Sequence, residues 1–170
     1  MAGEPTIALE HFSQEAKDLV GEAQNLADER KHALVEPIHL LVRAVDGDAG
    51  VAEVFRRASA DPTEVLKEAE AQLSRLGKVA TGLAYLSSAM LALLERAKKE
   101  AGTRPVGTEQ LLNALAQELR GPAAAVLQAF ALGPGSFRPH MAALIVRWPS
   151  LFNRTMGTCC DGAMLYRGAR

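Results

Sequence analysis

The side chains best suited to chemistry in this sequence are four histidines and two cysteines, and their spacing matches no catalytic or metal-binding motif. The histidines are scattered along the chain, at His11, His32, His39 and His140. The sequence contains no HExxH zinc motif, no GxSxG nucleophile motif and no GxxxxGK(S/T) phosphate-binding loop. We therefore predict that the chain is not an enzyme, that it holds no metal ion and that it needs no cofactor.

His39 and the cysteine pair each allow two interpretations, one structural and one chemical. His39 lies between two apolar residues on a helix that looks buried, so we expect a packed, hydrogen-bonded histidine rather than a ligand. Cys159 and Cys160 are adjacent; a disulfide between adjacent cysteines is strained, and no histidine lies in the tail to complete a zinc site. We therefore expect a disordered or weakly packed tail over residues 147–170, and a redox or metal site there is the disfavoured alternative.

The composition limits the class of protein. Of the 170 residues, 48% are hydrophobic and only 5% aromatic, a mixture that favours packed helices over sheets. A net charge of −1 gives the whole chain no electrostatic attraction to nucleic acid or to an anionic membrane. No apolar run is long enough for a transmembrane helix, and the N-terminus lacks the features of a signal peptide. Because the two cysteines are not placed to form a disulfide that stabilises the fold, we expect a reducing, cytoplasmic setting.

The element that organises the chain is a loop that runs into a helix, and it occurs twice. The first copy is VEPIHLL, beginning at Val35, and the second is VGTEQLL, beginning 71 residues later at Val106. Pro37 suits the first helical position because its φ is fixed and its missing N–H would have no helical partner. In the second copy we expect Thr108 as the N-cap and Glu109 in the first turn, where a carboxylate suits the helix dipole.

The segments ahead of these copies repeat as well. Phe12-Ser13 and Leu86-Ser87, 74 residues apart, each place an apolar residue and a capping serine before an apolar stripe at helical spacing. The whole pattern predicts about eight helices, four in each repeat. We expect three regions along the chain: a flexible N-terminus over residues 1–10, a double-repeat domain over residues 11–146, and the tail.

Two helices of the second repeat are less regular than their counterparts. The sixth is expected from Thr108 to about Arg120, with an apolar stripe that ends at Leu119. The eighth is expected around residues 135–146, but Pro139 would lie inside it, so we expect helix formation after that proline.

These residues carry a family resemblance. The segments FSQEAKDLVGEAQNLA…VEPIHLL and LSSAMLALLERAKKEA…VGTEQLL resemble the N-terminal domain of the Clp ATPases, also called the Clp repeat domain, over about residues 9–135. The first copy is most similar to the ClpB disaggregase branch, and the second to a form shared with ClpC and ClpA. The resemblance implies an all-α, pseudo-two-fold bundle of two four-helix Clp repeats, without the ATPase modules.

The resemblance also implies a binding site. ClpB-like domains place an apolar groove with polar flanks at the start of the first helix and around the loop that contains Gly107-Thr108-Glu109. Carried over by position, the implied site residues are Phe12, Ser13, Leu93, Ala97, Thr103, Glu109 and Gln110. We expect Phe12 and Leu93 to be partly exposed there.

Each of these residues also has a purely structural interpretation. Glu109 could act only on the helix dipole, Ser13 only as a cap, and Leu93 only as a core residue. Thr103 stands where ClpB-like domains carry an acid. The ClpC branch holds phosphorylated arginine with a glutamate in both copies, but the first copy here has Ile38 in that place.

The implied function is protein binding. A mobile module of this family captures unfolded or aggregated polypeptides, or adaptor proteins, and passes them to a Clp-type ATPase. One alternative is a docking domain for a single partner helix, as the Clp ATPase of type VI secretion uses. Another is a helical regulatory protein, which the near-neutral charge and the lack of a basic recognition helix disfavour.

Overall fold

Helices account for nearly all of the regular structure in the described parts of the chain, which are residues 9–79 and 83–141 of a computed structural model. A 3₁₀ turn, Leu9–His11, precedes the first α-helix. The α-helices are α1 (Gln14–Glu29), α2 (Pro37–Gly47), α3 (Ala49–Arg57), α4 (Pro62–Leu73), α5 (Ser88–Ala101), α6 (Thr108–Ala116) and α7 (Pro122–Ala129). Two short strands, β1 (Leu34–Val35) and β2 (Tyr85–Leu86), complete the set. Residues 1–8 and the predicted tail with Cys159 and Cys160 lie outside the described residues.

The predicted helical repeat is confirmed. Helices α1 to α4 form the first repeat, and α5 to α7 with a helical turn at residues 138–141 form the second. The capping serines act as expected, since the Ser13 hydroxyl oxygen accepts a hydrogen bond from Ala16 N–H (3.2 Å) and that of Ser87 accepts one from Met90 N–H (3.0 Å). These bonds satisfy backbone donors at the first turn that have no partner within the helix.

The sixth predicted helix, α6, differs from expectation at both ends. Its N-cap is Gly107 rather than Thr108, because the Gln110 side-chain oxygen accepts a hydrogen bond from Gly107 N–H (2.9 Å) and Thr108 is already helical. The helix ends at Ala116, well before Arg120, where Arg96 Nη1 donates to the Gln117 carbonyl (3.1 Å). Leu119 therefore lies beyond the helix and is 76% exposed, so its predicted place in the apolar stripe is wrong.

The start of the eighth helix is also a correction. Helical structure begins at Arg138, before Pro139 and not after it. A proline in the first helical turn removes no hydrogen bond, since the first N–H groups of a helix have no partner within it. The N–H groups of His140 and Met141 both donate to the Phe137 carbonyl. The remainder of the predicted helix lies outside the described residues.

Two reciprocal backbone pairings, which the sequence did not predict, join the repeats. Ser13 N–H donates to the Val106 carbonyl, and Val106 N–H donates to the His11 carbonyl, both at 2.8 Å. In the opposite half, Ser87 N–H donates to the Val35 carbonyl (3.1 Å), as part of the parallel β1–β2 pair. Each repeat's first helix is thus anchored to the loop that precedes the other repeat's second helix.

The core fills the space between the repeats. Helix α2 lies at its centre, contacts every other α-helix and buries eight of its residues, so it is apolar almost all round. The end of the second repeat packs on the first through the buried rings of Phe55 and Phe137, whose centroids are 4.8 Å apart. The two repeats therefore share one hydrophobic core.

We expect Ser87→Ala to destabilise the protein more than Ser13→Ala. Ser87 is buried, and its hydroxyl also donates to a Glu36 carboxylate oxygen (3.3 Å), so its loss removes a cap and leaves a half-buried acceptor without its partner. The expected losses in the free energy of unfolding are about 2 kcal/mol for Ser87→Ala and about 1 kcal/mol for Ser13→Ala.

Urea unfolding monitored by circular dichroism measures both losses. Ser88→Ala, at the exposed neighbouring position, is the control and should change stability by no more than about 0.5 kcal/mol. Equal effects at Ser87 and Ser88 would contradict the assigned role of the Ser87 hydroxyl.

Candidate functional site

The predicted site lies where the start of α1 meets the loop between α5 and α6. The loop leaves α5 through Gly102, whose φ of 64° is a left-handed conformation that glycine adopts without strain. Residues 103–105 are exposed, and Val106 then returns to the core to pair with the chain at Phe12. The loop therefore lies against the beginning of α1 and leads directly into α6.

The apolar residues predicted for this site are inside the protein. Phe12 is only 3% exposed, and Leu93 and Ala97 are fully buried. The expectation that Phe12 and Leu93 are partly exposed is therefore wrong. Phe12 is held inward by the Val106 pairing, and the other two lie on the face of α5 that packs on α6.

The polar residues predicted for the site are at the surface. Thr103 is exposed, while Ser13, Glu109 and Gln110 are half-buried. Ser13 and Gln110 use their side-chain oxygens in capping bonds to the backbone. Glu109 lies in the first turn of α6, near backbone N–H groups that have no helical partner. Thr103 and Glu109 are therefore the side chains best placed to meet a ligand, and we refer to Ser13, Thr103, Glu109 and Gln110 as the polar rim.

A small pocket that the sequence did not predict opens beside the polar rim. Its volume is about 140 Å³, and it lies between α1, the end of α2 and the start of α6. It is lined by Glu15, Asp18, Leu19, Glu22, Arg43, Ala44, Gly47, Asp48, Val51 and Thr108. Three of the acids follow helical spacing on α1, a pattern visible in the sequence but also common on any solvated helix face. The side of the rim that faces this pocket is therefore mainly acidic, with four carboxylates and Arg43.

The equivalent position in the first repeat is closed. Ile38 stands where Glu109 stands in the second repeat, and it is completely buried. Glu36 replaces Gly107, and its carboxylate accepts a hydrogen bond from the buried Ser87. His39 replaces Gln110, and its Nδ1 accepts the bond from Glu36 N–H (3.0 Å) that corresponds to the Gly107–Gln110 bond. The pseudo-symmetry therefore produces one open polar rim and one sealed counterpart.

The sealed counterpart contains a buried pair of histidines. His32 Nδ1 and His39 Nε2 are 2.8 Å apart, and both rings are almost inaccessible to solvent. Burial lowers the pKa of His39 to about 4, and burial together with the nearby Lys78 and Arg30 lowers the pKa of His32. His39 Nδ1 lies 3.0 Å from Glu36 N and 3.2 Å from the Glu36 carbonyl oxygen, and the tautomer of each ring decides which histidine donates in the pair. The expected packed, hydrogen-bonded His39 is confirmed.

Residues 9–79 and 83–141 contain no group of three His, Cys, Asp or Glu side chains placed to hold a metal ion. Within the same ranges, no helix is both long and apolar enough to span a membrane.

Sequence comparison identifies relatives of this chain. Residues 11–130 match the family described as the Clp repeat (R) N-terminal domain. The chain is 34% identical over 129 residues to the chaperone protein ClpB of Meiothermus ruber, covering 71% of this chain and 15% of that protein. It is 31% identical over 125 residues to ClpB of Mesorhizobium japonicum, covering 70% of this chain and 14% of that protein. The chain thus spans about a seventh of the length of these curated relatives, so their whole activity does not transfer directly.

Solved structures share the fold. The N-terminal domain of Hsp104 from Candida albicans superposes with a TM-score of 0.67 at 15% identity, covering 81% of this chain and 91% of that domain. The N-terminal domain of the ClpV1 ATPase from an E. coli type VI secretion system gives a TM-score of 0.66 at 19% identity, covering 81% and 86%. At these identities the likeness concerns the fold alone.

The histidine pair should make stability depend on pH. The pKa of His39 is lowered in the folded protein. The stability that the neutral ring contributes is therefore fully present above the unfolded pKa of 6.5, and it is lost as pH falls from 6.5 toward 4. Between pH 8 and pH 5 this amounts to a loss of about 2 kcal/mol from His39.

The variant His39→Gln introduces the residue that makes the equivalent bond in the second repeat, and it should flatten this dependence. Urea unfolding at pH 8 and pH 5 measures the effect, with His11→Gln at an exposed position as the control that keeps the wild-type slope. An unchanged slope in His39→Gln would show that another group causes the pH dependence.

Proposed function

Because the chain belongs to the Clp repeat N-terminal domain family, we propose that it is a protein-binding module that recruits unfolded substrate proteins or adaptors to a Clp-type AAA+ chaperone or unfoldase. The observation that carries this proposal is the family match over residues 11–130, which includes both repeats. The sequence has no phosphate-binding loop, so ATP hydrolysis is assigned to an ATPase module outside this sequence. We place this activity in the cytoplasm.

The polar rim is the proposed site of contact. Glu109 offers a carboxylate beside free helix N–H groups, so the same spot can accept hydrogen bonds from a client and donate them to it. Thr103, which is exposed, adds a hydroxyl at the edge of the loop. Such a mixture of donors and acceptors suits the backbone of an extended polypeptide, which carries both kinds of group along its whole length.

The buried apolar residues have a supporting role in this proposal. Phe12, Leu93 and Ala97 are buried in the core. A client side chain reaches them only if the start of α1 separates from the loop. That separation breaks the two hydrogen bonds between Val106 and the chain at His11 and Ser13. The cost of breaking them, added to that of ordering a flexible client, makes binding weak.

A docking domain for one partner helix is the alternative. The fold likeness to the ClpV1 N-terminal domain equals the likeness to the Hsp104 domain within 0.01 in TM-score, so the fold gives it equal support. The two functions differ in their ligands, since a recruiting module binds many unfolded chains through their backbone, whereas a docking domain binds one helix through its side chains.

We expect Glu109→Gln to weaken the binding of an unfolded protein several-fold, because hydrogen bonds to a carboxylate are stronger than those to a neutral amide. The measurement is an NMR titration of the labelled chain with α-casein. Shifts should cluster at Ser13, Thr103, Glu109 and Gln110.

Glu64→Gln is the matched control, since Glu64 is also an acid in the first turn of a helix, α4, at the exposed surface. It should leave the affinity unchanged. Equal losses in both variants, or no shift at millimolar casein, would refute the proposed site, and saturable binding of a single helical peptide without casein binding would favour the docking alternative.

A further inference from the structure

Among the residues that the structure describes, most of the large exposed apolar side chains lie in one region. Five large hydrophobic residues are exposed in the described ranges, and one of them, Leu119, lies alone beyond α6. The other four lie in the β1–β2 pair or next to it in the chain. We call them the apolar patch: Leu34 (45% exposed), Val79 (37%), Leu83 (72%) and Tyr85 (64%). A cluster of this kind on a small domain indicates an interaction surface more strongly than isolated exposed residues do.

The patch is a consequence of strand register. Leu34 pairs directly with Tyr85 in the parallel ladder, so the two side chains are neighbours on the same face of the sheet. Val35, the next residue of β1, points the other way and is completely buried. The short sheet therefore has a core face and an outer face, and the outer face carries a leucine and a tyrosine.

Within residues 9–79 and 83–141, the outer edge of β1 has backbone groups without a backbone partner. The ladder uses the carbonyls of Ala33 and Val35, which accept from Tyr85 N–H and Ser87 N–H at 3.0 and 3.1 Å. In a parallel pair, alternate residues of a strand point their N–H and C=O groups to opposite sides. The groups of Leu34 therefore point away from β2, along an edge to which another strand can add.

The equivalent edge in the other half lacks both features. Pro105 and His11 occupy the places of Leu34 and Tyr85, because they flank the Phe12–Val106 pairing in the same way. Proline has no N–H to offer an added strand, and the exposed histidine is polar. The apolar patch is therefore specific to the first repeat's loop and does not follow from the fold.

Two exposed lysines lie beside the patch. Lys31 and Lys78 flank β1, since Val79 N–H donates to the Lys31 carbonyl (2.8 Å) and Lys78 pairs with His32. Neither lysine takes part in any of the ion pairs formed within the described ranges. Three neighbouring carboxylates already have partners within the fold, with Glu70 on Arg30 (2.8 Å), Asp28 on Ala84 N–H (2.6 Å) and Glu36 on the Ser87 hydroxyl (3.3 Å). Two cations at the edge of the apolar patch are thus available to a partner.

We propose that the apolar patch binds an extended polypeptide segment whose apolar side chains alternate with carboxylates, and that this segment adds as a strand to the edge of β1. The backbone of the segment hydrogen-bonds to the N–H and C=O groups of Leu34. Its apolar side chains pack on Leu34 and Tyr85, and its carboxylates face Lys31 and Lys78. This surface is separate from the polar rim, because it lies at the start of α2 rather than at the start of α6. Its occupation does not require the rim to bind anything.

The test is an NMR titration of the labelled chain with a capped eight-residue peptide in which valine and glutamate alternate. Shifts are expected at Leu34, Tyr85 and Lys78. The double variant Leu34→Ser, Tyr85→Ser should weaken binding about tenfold, since it removes both apolar contacts. Both positions are exposed, so the variant is expected to fold, and circular dichroism checks that it does. Leu119→Ser removes an exposed leucine that lies outside the apolar patch, and it should have no effect.

Two further peptides separate the parts of the proposal. A peptide with lysine in place of glutamate should bind several-fold more weakly, and a peptide with N-methylated alternate amides should not bind, because it cannot add as a strand. Equal binding by the lysine peptide or the methylated peptide would overturn the proposal, as would shifts confined to the polar rim.

A second copy of the chain is the other conceivable occupant. Sedimentation equilibrium should show a monomer at the concentrations used for the titration. A dimer that the double variant abolishes would contradict the assignment to a partner polypeptide. If Glu109→Gln loses casein binding but still binds the valine–glutamate peptide, the apolar patch binds independently of the polar rim.

Discussion

The rest of the structure depends on the reciprocal pairing between the two repeats. In each half, the residue before a long helix is bonded to the loop before a shorter helix of the other repeat, through Ser13 with Val106 and Ser87 with Val35. A single four-helix repeat would leave these loops unpaired, and the first repeat alone would expose the part of α2 that contacts α5, α6 and α7. The pairing therefore fixes where each loop lies, and the loops carry the surface groups that can bind.

The same pairing yields two surfaces of different chemistry because the repeats differ at a few positions. In the second repeat, Gly107 and Glu109 leave the start of α6 open and polar, beside a mainly acidic pocket. In the first, Ile38 and the buried Ser87–Glu36 bond close the equivalent position, while Leu34 and Tyr85 present apolar side chains next to it. The two repeats share one frame, and different residues at a few equivalent positions give each half its own surface.

Much of this frame could be predicted from the sequence, since it rests on local rules. Serine caps, a proline at the first helical position and apolar stripes at helical spacing located α1, α2 and α5 within a few residues. The end of α6 could not be predicted, because it depends on Arg96, which is distant in sequence and bonds the Gln117 carbonyl. The burial of Phe12 and the exposure of Leu34 and Tyr85 also escaped prediction, because two-residue pairings between distant segments leave no periodic pattern.

Native-state hydrogen exchange in increasing urea tests most directly whether the reciprocal pairing holds the repeats as one unit. The amides to follow are those of Ser13, Val106 and Ser87, which donate across the two pairings, with Leu41 in the middle of α2 as the reference. If the pairing governs the fold, all four amides exchange with the free energy of global unfolding. Exchange of the three pairing amides at a clearly lower free energy, while Leu41 stays protected, would show that the repeats separate without unfolding and would contradict the account.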